Sequence, residues 1–267
     1  MPDGARRGHF HADGISSADL EKQIAALDQQ SRLAGIPRLR AWALAALELR
    51  AGERVLDIGS GTGEHARLLA EAVGETGKAI GLDPNPGMRT EAHRRAPRAT
   101  FVDGTAYALP FPDASLDVVT CERVFQHLDH PDQATAEIAR VLRPGGRVVI
   151  TDTDWATAII HPGDPEVVRV MTESMRGGMV NPMAARKLPG QLTGAGLTVD
   201  DIGSQALVQS PDAATGPLVR MLGRMAVDRG IIGAQDCERF LAGLAHGAES
   251  GDFHMSVTMF AVLAHKA

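Results

Sequence analysis

The spacing of hydrophobic residues alternates between two periods along this chain and divides it into short strands and amphipathic helices. Five apolar runs are typical of buried strands: RVLDIG (54–59), KAIGLD (78–83), ATFVDG (99–104), LDVVTC (116–121) and GRVVITDTD (146–154). Between them, apolar residues recur at helical spacing over 64–73, 85–95 and 134–142. Strands that alternate with helices of this length predict right-handed βαβ units and a parallel sheet.

The pattern also predicts helices before the first strand and a looser arrangement after the fifth. Helices are expected from about Ser17 and again from Pro37. After the fifth strand we predict a linker and a helix, then a second helix that ends at Gly196. Two strand-like runs, TVDDIGSQALVQS and FHMSVTMFAVLAHKA, enclose a helical stretch from Pro217 to about His246. The last run lacks the earlier crossover pattern, so we predict an antiparallel final strand.

These elements predict one compact α/β domain with a Rossmann-like sheet of seven strands. The sheet is expected to be mostly parallel, with its last strand antiparallel and helices on both faces. Residues 1–50 would form a helical cap, 51–154 the ligand-binding core, and 155–267 the rest of the sheet with added lid helices. The helical stretch before the last strand is expected to be either a lid over the site or the contact face of a homodimer.

Composition excludes several classes of partner. The net charge of −6 gives no basic face for a nucleic acid, and no uncharged apolar segment approaches the roughly 20 residues that a membrane helix needs. The two cysteines, Cys121 and Cys237, have no metal-binding spacing, so we predict no metal. A protein of the reducing cytoplasm that acts on a small molecule is the expectation.

The stretch VLDIGSGTGEHARLLA (55–70) carries the first chemical signal. Glycines at such a strand–helix turn let the backbone approach a ligand, beside the free N–H groups of a helix N-terminus. The spacing is Gly59-x-Gly61-x-Gly63 rather than the G-x-G-x-x-G of nicotinamide enzymes. Asp57 before it would repel a pyrophosphate but suits a cationic ligand such as S-adenosylmethionine. Asp83 ends the next strand, where a carboxylate can accept both ribose hydroxyls.

Four stretches together resemble the class I S-adenosylmethionine-dependent methyltransferases, in the small-molecule branch that includes the ubiquinone/menaquinone-type enzymes. They are VLDIGSGTG, GLDPNPGM, FVDGTAYALPFPDASLDVV and HLDHPDQATAEIARVLRPGGRVVITD. The resemblance implies S-adenosylmethionine as cofactor, with its methionine part along the glycine turn, its ribose on Asp83 and its adenine near Asp103. It also implies that Asp57 supports the turn and the cofactor's ammonium, directly or through water, and that Cys121 offers its main-chain carbonyl to that ammonium. Arg123 and Gln126 are candidates for the cofactor's carboxylate, although Arg123 could equally pair with a surface acid. The cofactor-binding residues expected are Asp57, Gly59, Ser60, Gly61, Asp83, Pro84, Met88, Asp103, Gly104, Thr105, Cys121, Arg123 and Gln126.

Candidate catalytic residues follow the fourth and fifth predicted strands. His127 matches a histidine common in this branch and is either a base or substrate-orienting group, or a capping residue. Asp152 and Asp154 share one face of their strand and either line a substrate cavity or cap the next segment. CERVFQH (121–127) replaces the Asn/Asp-Pro-Pro-aromatic motif of the enzymes that methylate amino groups of nucleic acids.

These features predict methyl transfer to an O, C or N atom of a small, apolar or aromatic metabolite. Two alternatives stay open. One is a non-catalytic partner that binds the cofactor, and the other is a different transferase that uses an adenosyl cofactor on the same fold.

Overall fold

The computed structural model describes residues 17–177 and 179–267, so the first 16 residues of the predicted cap lie outside the described residues. The helices in the described residues are α1 Ser17–Ser31, α2 Gly35–Leu47, α3 Glu64–Val73, α4 Pro86–Arg95, α5 Pro131–Val141, α6 Pro165–Gly177, α7 Ala184–Gly194, α8 Pro217–Asp228 and α9 Ala234–Ser250. The strands are β1 Arg54–Ile58, β2 Lys78–Leu82, β3 Thr100–Val102, β4 Leu116–Glu122, β5 Leu142–His161, β6 Leu197–Val208 and β7 His254–Lys266.

The seven strands of the described residues form one sheet in the order β3-β2-β1-β4-β5-β7-β6. Neighbours among the first five strands pair in parallel, whereas β7 is antiparallel to both β5 and β6. The predicted Rossmann-like sheet with an antiparallel last strand is therefore confirmed. The strand order reverses between β1 and β4, and in such sheets the crevice outside the carboxyl ends at this point binds ligands.

Apolar clusters fill both faces of the sheet. On one face α2, α3 and α4 pack over a cluster that includes Leu47, Leu69 and Val118. On the other face α5 and α7 cover a cluster that includes Ile138 and Leu188. A third cluster joins α6, α8 and α9 to the far ends of β5 and β7. None of the helices in the described part of the chain is long and apolar enough to cross a membrane.

The predicted boundaries are wrong in two places after the core. We predicted that β5 ends at Asp154 and a linker follows, but the strand continues to His161 because it pairs with β7 as far as His161–His254. The predicted helical stretch before β7 is two helices, since the chain breaks near Gly230, whose φ is +66°. The division into cap, core and completing segment, and the choice between lid and homodimer face, stay predictions.

Candidate functional site

The turn between β1 and α3 brings glycine backbone to the crevice between β1 and β4. Gly59 and Gly61 have φ values of +69° and +50°, a left-handed conformation that glycine adopts without steric cost. A Cβ on Gly59 would lie 2.3 Å from Cγ2 of Val124, so glycine allows the loop after β4 to approach this closely. The amides of Gly59 and Ser60 donate to the carbonyl of Leu82 at 2.7 and 3.0 Å, which fixes the turn against β2.

Asp57 is buried near the end of β1 and holds the first turn of α3. Its Oδ1 lies 3.2 Å from Nδ1 of His65 and accepts a hydrogen bond from Oγ1 of Thr120 at 3.0 Å. Burial alone would lower the pKa of His65, but the neighbouring Asp57 carboxylate outweighs it and the net pKa is raised. A direct contact of Asp57 with the cofactor's ammonium stays a prediction. Sequence reasoning missed His65, although helical spacing places it on the buried face of α3.

Asp83 joins the glycine turn to the start of α4. Its Oδ2 accepts a hydrogen bond from the Gly61 amide at 2.9 Å, and its Oδ1 accepts one from the Asn85 amide at 2.8 Å. The Asn85 side chain in turn caps α4 by accepting from the amides of Gly87 and Met88. Burial raises the pKa of Asp83 above its ordinary value. The predicted ribose carboxylate is therefore also a structural support of the turn.

Asp103 follows β3, and 74% of its side-chain surface is exposed. Arg89 of α4 connects it to the neighbouring strand end, since Nη1 of Arg89 donates to Oδ1 of Asp103 at 2.6 Å and to the main-chain carbonyl of Asp83 at 2.7 Å. The structure thus brings two of the predicted adenosine-binding acids together through an arginine that the sequence analysis missed. Four other residues expected beside the adenosine follow β2 or β3 in the chain: Pro84, Met88, Gly104 and Thr105.

Cys121 precedes the last residue of β4. Its side chain is buried, and burial raises the pKa of the thiol well above its ordinary value. A thiol in this state is a poor nucleophile, so any contact with a ligand would involve its main chain. The predicted interaction of its carbonyl with the cofactor's ammonium stays a prediction.

The turn after β4 holds Arg123 in an unusual conformation. Its φ is +59°, which is uncommon for a residue other than glycine. The guanidinium donates through Nη1 to Oε1 of Gln30 in α1, and the main-chain amide donates to the carbonyl of Thr151 at 2.8 Å. Gln126 lies in the following 3₁₀ turn, Phe125–His127, where its Oε1 accepts a hydrogen bond from Nε1 of Trp155 at 2.8 Å. Both residues proposed for the cofactor's carboxylate therefore lie at the carboxyl end of β4.

Asp152 and Asp154 hold the elements on one face of the sheet. Asp152 accepts hydrogen bonds from the amides of Gln126 at 3.1 Å and Thr153 at 2.7 Å, and burial raises its pKa to about 7. The Asp154 carboxylate is buried and binds the guanidinium of Arg186 in α7. One acid thus anchors the 3₁₀ turn and the other anchors α7. Their predicted part in catalysis stays a prediction.

His127 ends the 3₁₀ turn Phe125–His127 and is half-buried. The turn is fixed by Asn181, whose amide donates to the Gln126 carbonyl at 2.9 Å and whose side-chain nitrogen donates to the Phe125 carbonyl at 3.2 Å. This turn lies beside the crevice, between the end of β4 and α7. The role of His127 as a base or orienting group stays a prediction.

Helices α1 and α2 border the site from the N-terminal side. The Leu27 side chain of α1 comes within 3.5 Å of the position that a Cβ on Gly61 would take. Asp28 of α1 pairs with Arg95 of α4 at 2.6 Å. In α2, Arg40 forms ion pairs with acids of the glycine-turn helix and of β4, and sequence reasoning missed it. The available signal was an arginine beside the otherwise apolar stretch AWALAAL.

Buried polar atoms around the glycine turn fit a ligand with both donors and acceptors. Three of them have no hydrogen-bond partner among the described residues: Oγ of Ser60, Nε2 of His65 and Nε of Arg123. Buried polar atoms are normally paired, and the ammonium, carboxylate and hydroxyl groups of S-adenosylmethionine supply suitable partners. Within the described ranges no group of three or more His, Cys, Asp or Glu side chains could hold a metal ion.

Comparison with known proteins agrees with this geometry. Residues 56–150 match the family described as a methyltransferase domain. An uncharacterized 37.1 kDa protein in transposon Tn4556 of Streptomyces fradiae is 35% identical over 258 residues, which cover 94% of this chain and 73% of that protein. The ubiquinone/menaquinone biosynthesis C-methyltransferase UbiE of Ectopseudomonas mendocina is 36% identical over 140 residues, which cover 49% of this chain and 52% of that enzyme.

Solved structures share the fold. The YcgJ protein of Bacillus subtilis matches with a TM-score of 0.58 and 22% identity, over 85% of this chain and 97% of that one. A SAM-dependent methyltransferase of Aquifex aeolicus matches with a TM-score of 0.54 and 18% identity, over 92% and 99% of the two chains. The chain belongs to the class I S-adenosylmethionine-dependent methyltransferases. It is an enzyme of that class, resembles the UbiE-type methyltransferases, and uses S-adenosylmethionine as its cofactor.

Proposed function

We propose that this enzyme transfers the methyl group of S-adenosylmethionine to a carbon, oxygen or nitrogen atom of a small, apolar or aromatic metabolite. The position of Trp155 carries this proposal. Its ring lies in the irregular part of β5 between Asp154 and Ile159, and its Nε1 donates to Gln126 beside the crevice. The ring also packs against the apolar cluster under α2 and α3 and against the cluster of α6, α8 and α9, which we propose as lid helices.

The lid helices supply the rest of an apolar boundary next to this ring. Their inner side chains include Met171, Leu222 and Phe240, all of them buried in one cluster with Trp155 at its edge. Methionine side chains adapt to irregular apolar ligands. An acceptor held between Trp155 and these helices would be shielded from water and presented to the cofactor from the side of Gln126.

The bound cofactor supplies an electrophilic methyl group on a sulfonium. The chain has to align the acceptor atom with that group and exclude water, and such positioning contributes roughly 7–11 kcal/mol in well-oriented reactions. We assign to His127, which ends the anchored 3₁₀ turn, the removal of the proton from the acceptor atom. Asp152 and Asp154 would act through the 3₁₀ turn and α7, because their carboxylates bind those elements.

The relatives support the class of acceptor. The UbiE enzymes are named as C-methyltransferases of ubiquinone and menaquinone biosynthesis. The net charge of −6 does not favour a nucleic acid. Since this chain spans 52% and 65% of the lengths of two such enzymes, their substrate is a guide to chemistry only.

The test is incubation with methyl-labelled S-adenosylmethionine and separate acceptors: apolar phenols, quinols, amines, tRNA and DNA. Label is expected in an apolar aromatic acceptor. Trp155→Ala should lower kcat/KM for that acceptor by about tenfold, since a buried ring contributes roughly 1.5–3 kcal/mol. The matched control is Trp42→Ala, which removes a ring that packs on Gly203 in the edge strand β6. Label only in nucleic acid, or cofactor binding without any methylated product, would refute the proposal.

A further inference from the structure

We infer that Arg40 of α2 is a positioning residue for the methionine half of the cofactor and acts through Glu122 and Glu64. This inference rests on the proposed function and on the expectation from the sequence that the glycine turn and the turn after β4 hold that half. Arg40 does not belong to either turn. It lies in the helical segment that precedes β1, within a face that otherwise buries Ile36 and Ala43.

One guanidinium engages both acids. Nε and Nη2 of Arg40 donate to the two carboxylate oxygens of Glu122 at 2.7 and 2.8 Å, and Nη1 lies 3.1 Å from Oε2 of Glu64. The side chains of Arg40 and Glu122 are only 12% and 10% exposed. Burial would raise the pKa of Glu122, but Arg40 outweighs burial and the pKa falls to about 2. Glu122 therefore stays charged and paired.

The two acids belong to the segments that border the methionine half. Glu64 is the first residue of α3, directly after the glycine turn. Glu122 directly precedes Arg123, the residue with a left-handed φ of +59°. Next follows Val124, whose Cγ2 lies 2.3 Å from the Cβ position of Gly59. Because a bidentate Arg–carboxylate pair fixes orientation as well as distance, Arg40 sets how the turn after β4 stands against the glycine turn.

A second arginine provides the comparison that separates positioning from simple stabilisation. Arg147 of β5 binds Glu53 in the same bidentate manner at 2.8 and 2.9 Å, and their side chains are 17% and 9% exposed. Arg147 also donates to the carbonyls of Leu47 and Glu48 at the end of α2. Both arginines thus connect α2 to the sheet. Arg147 does so beside the start of β1, and Arg40 does so beside the site.

The experiment measures ligand binding by calorimetry for the wild type, Arg40→Met and Arg147→Met. The ligands are S-adenosylmethionine, S-adenosylhomocysteine and 5′-methylthioadenosine, which lacks the amino-acid group. Arg40→Met is expected to weaken the binding of S-adenosylmethionine and S-adenosylhomocysteine by about tenfold and the binding of methylthioadenosine by less than about twofold. Arg147→Met should lower the melting temperature and leave all three affinities within about twofold. Arg40→Lys, which keeps the charge without the planar fork, should lie between the wild type and Arg40→Met.

Unchanged affinity of Arg40→Met for S-adenosylmethionine would overturn the inference, as would an equal loss for all three ligands. If Arg40→Met does not fold, Glu64→Gln takes its place, because the Glu64 side chain is 43% exposed and the Arg40–Glu122 pair stays intact. We expect Glu64→Gln to bind S-adenosylmethionine about threefold more weakly than the wild type and methylthioadenosine as tightly as the wild type. An affinity for S-adenosylmethionine equal to that of the wild type would overturn the inference. If the wild type binds none of the three ligands, the cofactor site itself is refuted. That outcome is distinct from one in which the wild type binds the ligands and the variants bind them equally well.

Discussion

Replacing Asp83 by alanine should weaken the fold and the cofactor site together, for two separable reasons. The carboxylate accepts hydrogen bonds from the amides of Gly61 at 2.9 Å and Asn85 at 2.8 Å. In the alanine variant both amides lose this acceptor. Hydrogen bonds to a charged group contribute roughly 1.5–3 kcal/mol each, and the cost of burying the carboxylate offsets part of this. We therefore expect a net loss of about 2 kcal/mol in the free energy of unfolding.

For a domain of this size such a loss lowers the melting temperature by about 4–8 °C, which calorimetry without ligand would measure. Loss of the ribose contact should also weaken the binding of S-adenosylmethionine at least about tenfold, which titration calorimetry would measure. Asp83→Asn keeps one acceptor oxygen and should fall between the wild type and the alanine variant. Wild-type affinity in Asp83→Ala would refute the ribose assignment, and an unchanged melting temperature would refute the support given to the turn.

Asp117→Ala is the matched control for this prediction. Its Oδ2 accepts from the Arg54 amide at 2.7 Å at the start of β1, and it pairs with Arg143. The variant should therefore lower the melting temperature without weakening S-adenosylmethionine by more than about twofold. A comparable loss of affinity would show that destabilisation alone explains the effect of Asp83→Ala.

Three further predictions test packing and charge. Gly59→Ala should lower the free energy of unfolding by about 2–4 kcal/mol in urea titrations, because Gly59 has a φ of +69° and an added Cβ would clash with Val124. The double variant Gly59→Ala/Val124→Ala should recover part of that loss, and no recovery would contradict the packing argument. Asp152 has a pKa of about 7. Between about pH 4 and 7 it therefore keeps, in the folded state, a proton that it has lost in the unfolded chain. Its contribution to stability falls as pH rises through that window. His65, whose pKa is also raised, acts in the same direction but is present in both proteins. The melting temperature of the wild type relative to Asp152→Asn should therefore fall as pH rises from about 4 to 7; a constant difference would contradict the assignment. Arg186→Met removes the ion-pair partner of the buried Asp154, which among the described residues keeps only the hydrogen bond from the Ala156 amide. It should lower the free energy of unfolding by about 1–2 kcal/mol, a value discounted because the guanidinium is half-exposed. Arg169→Met on the surface of α6 should leave the melting temperature unchanged, and equal effects of the two variants would argue against a special role of the Asp154 pair.

Several features of this enzyme follow from the order of residues along the chain. The period of apolar positions marks the core strands, and parallel strands joined by helices bring their carboxyl ends to one edge. Asp57 and Asp83, each at or near such an end, can therefore be assigned to one site from the sequence alone. The spacing of Gly59 and Gly61 is equally local, since the turn needs left-handed φ values at those positions. The sequence therefore determined the sheet and the cofactor, and it predicts the strand ends at which that cofactor binds.

Other features depend on contacts between residues far apart in the chain, which no local pattern encodes. Arg40 meets Glu122 across 82 positions, and β5 extends to His161 because β7 provides a partner. The tertiary structure also decided that Asp83 supports the Gly61 amide and that Asp154 binds Arg186. Burial and opposite charge select such partners only once packing has brought them together. The sequence determined where the acids stand along the strands, and the folded chain decided which groups each of them holds.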